Sequence, residues 1–379
     1  MKKKVYKYLG RSANKLDYYR FRLKQRHGWL GEPRILPFAG FGNHQTVRLR
    51  GLVLEDKGGV NSPEHITKWK NAQAILKRYI SSEAPRVQVR GIFQGQEKIV
   101  QTDSEGYFYM HFNVNYLPPT TNPWSTVKLD LLDKIVPDQG KVSAEGEVLL
   151  SGPENNIGII SDIDDTVLVS QATKLRKKLN LMLFKNARTR LPFEGVSAFY
   201  QALHEGSSHH QFRPIFYVSS SSWKLYDLLY DFFELQGIPK GPLLLRDSRL
   251  DRFKFKASVH KGHKLEQVES IMHAYPQKSF ILIGDSGQKD AQIYAEICKL
   301  YPNRVLAIYI RDIGNVERHQ HIEEIATNLA QQQVPMLLVK NTVEAAQHAY
   351  EQGWIDEQGL KMVEGKQKAD HKLADLQSA

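Results

Sequence analysis

The sequence predicts an α/β protein, a doubly wound parallel sheet preceded by a β-sandwich-like domain. Three observations predict it. From about residue 153 the chain repeats short, continuously apolar runs (GIISD, PIFYVS, PLLLRD, SFILIGDS and RVLAIYIRD) bounded by turn residues. Strands buried on both faces have this pattern. Helical stretches separate several of these runs, including WKLYDLLYDFFELQG, HKLEQVESIMHAY and KDAQIYAEICKLY, and such alternation implies a parallel sheet with helical crossovers. Before residue 150 the strands instead alternate apolar and polar residues, the period of a half-buried sheet.

Taken in order, the chain opens with a basic arm, residues 1–35. It holds six Lys and five Arg against Asp17 and Glu32, most of the formal net charge of +11. Such an arm could meet an anionic membrane, where each basic residue contributes ~1 kcal/mol, or stand as a solvated tail. No specific nucleic-acid partner is expected. The opening residues lack the apolar stretch of a secretory signal. No apolar run approaches the roughly eighteen residues of a membrane span. The single cysteine, Cys298, fits a reducing cytoplasm and reads as a small buried hydrophobe on a helix. A cytoplasmic protein, peripheral at the inner membrane face, is the expected localisation.

Residues 36–152 form the β-rich domain. TVRLRGLVLED, RVQVRGIFQG, KIVQTDSEGYFYMHFNV, TVKLDLLDK and KVSAEGEVLL are its strands, and the turn Asp103 to Gly106 joins two runs as a hairpin would. A helix capped by Ser62, with Pro63 in its first turn, interrupts them. Residues 153–362 form the doubly wound domain, and residues 363–379 a polar, frayed tail.

The chemistry lies at strand ends. The run GIISDIDDTV places Asp162, Asp164 and Thr166 just past a strand, and FILIGDSGQKD places Asp285 at a strand end with Asp290 one turn on. Another strand ends in Ser219, followed by Ser220 in a run of four serines. Strand ends of one parallel sheet share an edge, so these groups should converge. Crowded carboxylates repel and are costly to bury, and Mg2+, which takes oxygen ligands, resolves the cost. A calcium loop fails because Val167 and Thr173 stand where Gly and Glu are required. Asp-rich surface turns are the bland alternative.

Asp-x-Asp-x-Thr after a hydrophobic strand, a second strand ending in Ser, a Lys before a later helix, and Gly-Asp-x-x-x-x-Asp resemble the signatures of the haloacid dehalogenase superfamily. The strings SDIDDTV, NARTRLPFEGV, FYVSSSSWKLYDLL, GPLLLRD and FILIGDSGQKDAQIYAEI resemble, more narrowly, the catalytic domain of the actin-patch-associated phosphatidate phosphatase family and its bacterial relatives. The likeness is close over about residues 153–312, and Ser222 departs from it where Pro is expected. It implies a Mg-dependent phosphomonoester hydrolase acting on phosphatidate or another lipid phosphate. By that likeness Asp162 is the nucleophile that forms an aspartyl-phosphate. Asp164 protonates the leaving group and then deprotonates water. Asp162, Asp285 and the carbonyl of Asp164 hold the metal, with Asp290 a further ligand. Exchange of the roles of Asp162 and Asp164 stays open.

Ser219 and a lysine would stabilise charge on the transferred group. Both Lys261 and Lys264 fit the start of an amphipathic helix, and Lys264 is favoured because Val268 and Ile271 give it the stronger apolar pattern. Thr166, Ser220, Lys261 and Arg246 are candidate substrate contacts, and Arg246 with Asp247 could equally form a local salt bridge. The insert KLRKKLNLMLFKNARTR puts Leu175, Leu179, Met182 and Leu183 on one helical face. It suits a cap, a lipid-surface helix or plain core packing. The pairs His209–His210 and His319/His321 read as surface-loop residues rather than a metal site. A phosphatase of a soluble phosphomonoester and a non-catalytic anionic-surface binding protein are the alternative functions.

Overall fold

The computed structural model describes residues 18–19, 21–56, 81–118, 122–153, 156–163, 194–207, 212–246, 262–287, 289–312, 314 and 316–378. These residues fall into two compact units that divide at Ser151/Gly152. The helix expected after Ser62 and the insert at 174–190 lie outside the described residues.

The first unit holds seven strands: β1 (Pro33–Gly42), β2 (Thr46–Glu55), β3 (Gln88–Phe93), β4 (Gln96–Gln101), β5 (Tyr107–Asn113), β6 (Trp124–Leu131) and β7 (Ser143–Leu150). They form one sheet in the order β4-β3-β6-β7-β1-β2-β5, antiparallel except where β1 runs parallel to β7. The expected two-sheet sandwich is therefore, by hydrogen bonding, a single sheet. Its two ends come back to each other, because Gln96 Nε2 on β4 donates to the Asn113 carbonyl on β5 at 2.8 Å. Strand alternation explains what fills it. Phe108, Met110 and Phe112 of β5 point inward with Val47, Leu49, Val89 and Val127, while Tyr109 and His111 face out.

The hairpin expected at Asp103 to Gly106 is a correction. A turn is present, with the Gly106 amide donating to the Asp103 carbonyl at 3.2 Å. The strands it joins, β4 and β5, are not ladder neighbours but lie at opposite ends of the sheet order. The tight hairpin is β3–β4, closed at Gln94 and Gly95, whose φ values are +46° and +77°. Two consecutive positive φ angles give the turn whose twist matches paired strands, and Phe93 faces Gln96 directly.

The second unit alternates strands and helices: β8 (Ile157–Asp162), α1 (Val196–Glu205), β9 (Ile215–Ser222), α2 (Tyr226–Gln236), β10 (Leu243–Arg246), α3 (His263–Ala274), β11 (Ser279–Asp285), α4 (Asp290–Leu300), β12 (Val305–Arg311), α5 (Val316–Ala330), β13 (Met336–Val339), α6 (Thr342–Glu351) and α7 (Glu357–Ser378). All six strands are parallel, in the order β10-β9-β8-β11-β12-β13. The chain winds outward from β8 in one direction, then returns to place β11 on its other side. Ligands of such sheets bind at that switch, beyond the strand carboxyl ends. The five apolar runs are β8 to β12, and the middles of β8, β9, β11 and β12 are fully buried, from Ile159 and Ile160 through Phe216, Leu282 and Ile308.

Two further sequence expectations are corrected. The tail at 363–379 is helical as far as Ser378, because one face of α7 packs against the unit. Val363 is fully buried, and the Asp370 carboxylate accepts from the Gly195 amide at 2.9 Å. His319 and His321 sit on helix α5, not in a loop. His319 lies 2.6 Å from Asp312 and His321 lies 3.7 Å from Glu324.

Candidate active site

Asp162 is the last residue of β8 and Asp285 the last residue of β11, and the two strands pair in register through Ile283 and Ser161. Adjacent parallel strands ending together bring the two carboxylates to the switch point. Asp290 joins them because β11 is followed by a tight loop and α4 begins at Asp290 itself. An acid in the first turn of a helix suits the positive end of its dipole. One carboxylate oxygen from each of Asp162, Asp285 and Asp290 lies within 4.8 Å of the others. Among the described residues this is the group of acids able to share one ion.

The approach of Asp290 needs a residue without a side chain opposite it. A Cβ at Gly284 would stand 2.7 Å from both Cβ and Oδ2 of Asp290. With that space open, Asp290 Oδ2 accepts from the Asp285 amide at 3.1 Å. Asp285 is held in turn, its Oδ1 accepting from the Gly287 amide at 2.6 Å.

The cation inside the cluster is Lys264, in the first turn of α3. Its ammonium lies 2.5 Å from Asp290 Oδ1 and 2.9 Å from Asp162 Oδ1, with all three side chains at most 4% exposed. Burial pulls the Lys264 pKa down, but the charges of Asp290 and Asp162 outweigh it and hold the group above its ordinary value. The ammonium therefore keeps its proton. For Asp162, burial first and then the Asp290 charge push the carboxyl well above the usual range, with Lys264 opposing. The ion pair is not a well-directed hydrogen bond. Both Asp162 oxygens are buried, and beyond the Lys264 ion pair neither accepts a well-directed hydrogen bond from the described residues. Three acids and one ammonium converge here, and an oxygen from each acid faces one point, the donor set a small hard cation takes.

Around this cluster Ser219 is wholly buried in β9, and its Oγ accepts from the Ser221 amide at 2.9 Å. The strand does not stop at Ser219, as expected, but runs through all four serines to Ser222. Arg246 ends β10, on the same edge. Ser220 is half-buried on β9. Asp164, Thr166, Asp247 and Lys261 lie outside the described residues. Cys298 is buried on α4, and burial pushes its thiol up to about 12.

Several residues at this edge escaped the sequence. Gln267, one turn after Lys264, donates to the carbonyls of Ser219 at 3.3 Å and Leu244 at 2.7 Å, tying α3 to β9 and β10. Tyr200 on α1 hydrogen-bonds Ser161 Oγ at 2.6 Å, directly before Asp162, and burial holds its phenol up at about 12. Arg318 on α5 donates to the carbonyls of Ser286, at 3.1 Å, and Gly287. None belongs to a recognisable string. Only the i,i+3 spacing of Gln267 from Lys264 offered a hint.

Residues 157–312 match the family model described as Phosphatidate phosphatase APP1, catalytic domain. The Phosphatidate phosphatase APP1 of Saccharomyces cerevisiae is 30% identical over 253 residues, which cover 64% of this chain and 40% of that protein. The Schizosaccharomyces pombe protein C29B5.04c, described as uncharacterized, is 29% identical over 217 residues, 56% of this chain and 34% of its own length. The chain thus spans well under half the length of these curated relatives. A crystal structure of a carbohydrate acetylesterase from Xanthomonas citri superposes over 79% of this chain and 66% of its own at a TM-score of 0.30 and 10% identity, a likeness that carries no argument.

Proposed function

We propose that this protein, whose residues 157–312 match the family model of the APP1 phosphatidate phosphatase catalytic domain, is a Mg-dependent phosphatidate phosphatase of the haloacid dehalogenase type. The observation that carries the proposal is the buried triad Asp162, Asp285 and Asp290 converging at the switch point, with the Lys264 ammonium beside it. Asp162, Asp285 and Asp290 would hold the ion, with the carbonyl of Asp164 completing the protein's share. When bound, Mg2+ supplies positive charge beside the transferred phosphoryl group.

The chain's own groups do the remaining work. An oxygen of Asp162 attacks phosphorus, forming an aspartyl-phosphate as the bond to the leaving oxygen breaks. Asp164 gives that oxygen a proton and then removes one from the water that hydrolyses the acyl phosphate, releasing inorganic phosphate and restoring both acids. Lys264, protonated and fixed between two carboxylates, contributes positive charge at the reacting group without reorganising. The Ser219 hydroxyl and the run after it supply donors at the end of β9. Gln267 and Tyr200 position this machinery from behind. An anionic lipid substrate accords with the basic arm, which we assign to peripheral contact with an anionic membrane.

The test is phosphate release from a panel of esters, phosphatidate in mixed micelles beside soluble sugar, nucleotide and peptide phosphates, with Mg2+ and with chelator. Release from phosphatidate that needs Mg2+ and is lost in Asp162→Asn is the expected result. Good release only from soluble esters rejects the lipid substrate. Full release by Asp162→Asn rejects the nucleophile.

A further inference from the structure

In the β-rich unit, far along the chain from the acidic cluster, residues 18–19 and 21–26 are helical, and one side of this segment is tied down. Phe21 and Leu30 are buried in the core of the unit. Lys24 Nζ donates to Ser82 Oγ at 2.8 Å, Gln25 Nε2 donates to the Ile135 carbonyl at 3.1 Å, and the Arg86 guanidinium lies 4.8 Å over the Tyr18 ring. The segment is therefore anchored to the fold.

Its other side has a different character. Tyr19, Arg22, Leu23 and Arg26 are spaced i, i+3, i+4 and i+7, the positions that share one helical face, and all four are exposed. Tyr19 is 65% and Leu23 54% exposed. The chain then turns at Gly28 and presents Trp29, 67% exposed, with its ring stacked on His27 at 4.9 Å. A single exposed apolar side chain needs no explanation. Three large ones within eleven residues, held outward by a segment whose opposite side is pinned, make a surface with a use. Trp and Tyr favour the membrane–water interface, where an apolar ring meets a wet boundary. Leu adds apolar area for the acyl boundary, and the arginines match anionic headgroups. The sequence context has the same sign, with eleven basic residues against two acids over residues 1–35.

We propose that Tyr19 and Leu23 on this helical face, flanked by Arg22 and Arg26 and followed past the turn by the exposed Trp29, dock the protein onto an anionic lipid surface. It borrows its purpose from the lipid-phosphatase reading but is measured without catalysis, so the two can fail separately. Nucleic acid would use the arginines and the rings but has no use for an outward Leu23.

The experiment is co-sedimentation of the full chain with phosphatidylcholine vesicles made with and without phosphatidylglycerol. It compares the parent with Leu23→Ser/Trp29→Ser and with Arg22→Gln/Arg26→Gln. The parent binds only the anionic vesicles, and its tryptophan emission is quenched by lipids with brominated chains. The arginine pair lowers partitioning roughly thirtyfold, from ~1 kcal/mol per basic residue. The apolar pair lowers it at least tenfold and abolishes most of the quenching. Both keep the parent's thermal midpoint and its rate on a small soluble ester. Parent-like partitioning of the apolar pair, equal binding to pure phosphatidylcholine, or tighter binding to duplex DNA than to vesicles each overturns the proposal. Vesicle binding as described, with no release from phosphatidate, would leave the docking face standing and reject only the lipid substrate.

Discussion

Replacing Gly284 with Ala places a single methyl group where the carboxylate cluster has no room. The new Cβ would stand 2.7 Å from Asp290 Cβ and Oδ2 and 3.0 Å from Cγ, whereas ordinary contact begins at 3.4 Å. Asp290 or strand β11 must therefore move by about 0.7 Å or more. Asp290 is pinned on two sides, by the Asp285 amide at 3.1 Å and the Lys264 ammonium at 2.5 Å. The movement cannot be absorbed without loosening one of them. Overpacking a filled site costs about 1–3 kcal/mol, and a misplacement near 1 Å in catalytic machinery can cost on the order of a hundredfold in rate. Urea denaturation should show the stability loss. Phosphate release across a Mg2+ titration should show a higher concentration for half-activation and a rate lower by ten- to a hundredfold. Gly365→Ala on α7 is the control, because a methyl there meets nothing within 4 Å. A Gly284→Ala enzyme with the parent's rate and the parent's Mg2+ requirement would refute the reasoning that Asp290 is placed by the missing side chain.

Lys264→Met removes a buried cation that pairs with both Asp162 and Asp290, so with chelator present the variant should lose about 3–5 kcal/mol in urea denaturation. Saturating Mg2+ should recover part of that loss, and equal stability of variant and parent in chelator contradicts the expectation. On the β-rich unit, hydrogen bonds from Ser143 and then Arg90 lower the Asp130 carboxyl to about 2. Its stabilising contribution is thus complete above roughly pH 4 and disappears as pH falls through about 2. Asp130→Asn should cost roughly 1 kcal/mol at neutral pH, discounted for a partner that is 34% exposed, with the difference closing in acid. Denaturation series at neutral and acidic pH check the sign. Gly95→Ala keeps open space around the new methyl but puts an L side chain at φ +77°. It should cost about 1 kcal/mol and lower the melting temperature.

The sequence by itself determined the strands that carry the acids. GIISD and FILIGD are apolar enough to be buried on both faces, so Asp162 and Asp285, the first polar groups with ionic charge after each run, had to emerge at an end of the sheet. The winding order then placed those two ends side by side. What the sequence left open was adjacency between residues equally plausible by local pattern. Lys261 and Lys264 both suit the start of α3, and only the fold puts the Lys264 ammonium within ion-pair reach of two carboxylates. Asp103 to Gly106 and Gln94–Gly95 both suit a turn between strands. Only the first unit's sheet order decides that the second closes a hairpin while the first joins strands at opposite ends of the sheet. The polar α7 is a helix because α1 and the Gly195 amide give it partners, and no property of residues 363–379 alone supplies those. Burial and turn chemistry act over a few neighbouring residues and are written in order along the chain. Ion pairs, close approaches at a glycine and strand partnership act across distances of a few ångström between residues far apart in sequence, and they come into being only when the chain has folded.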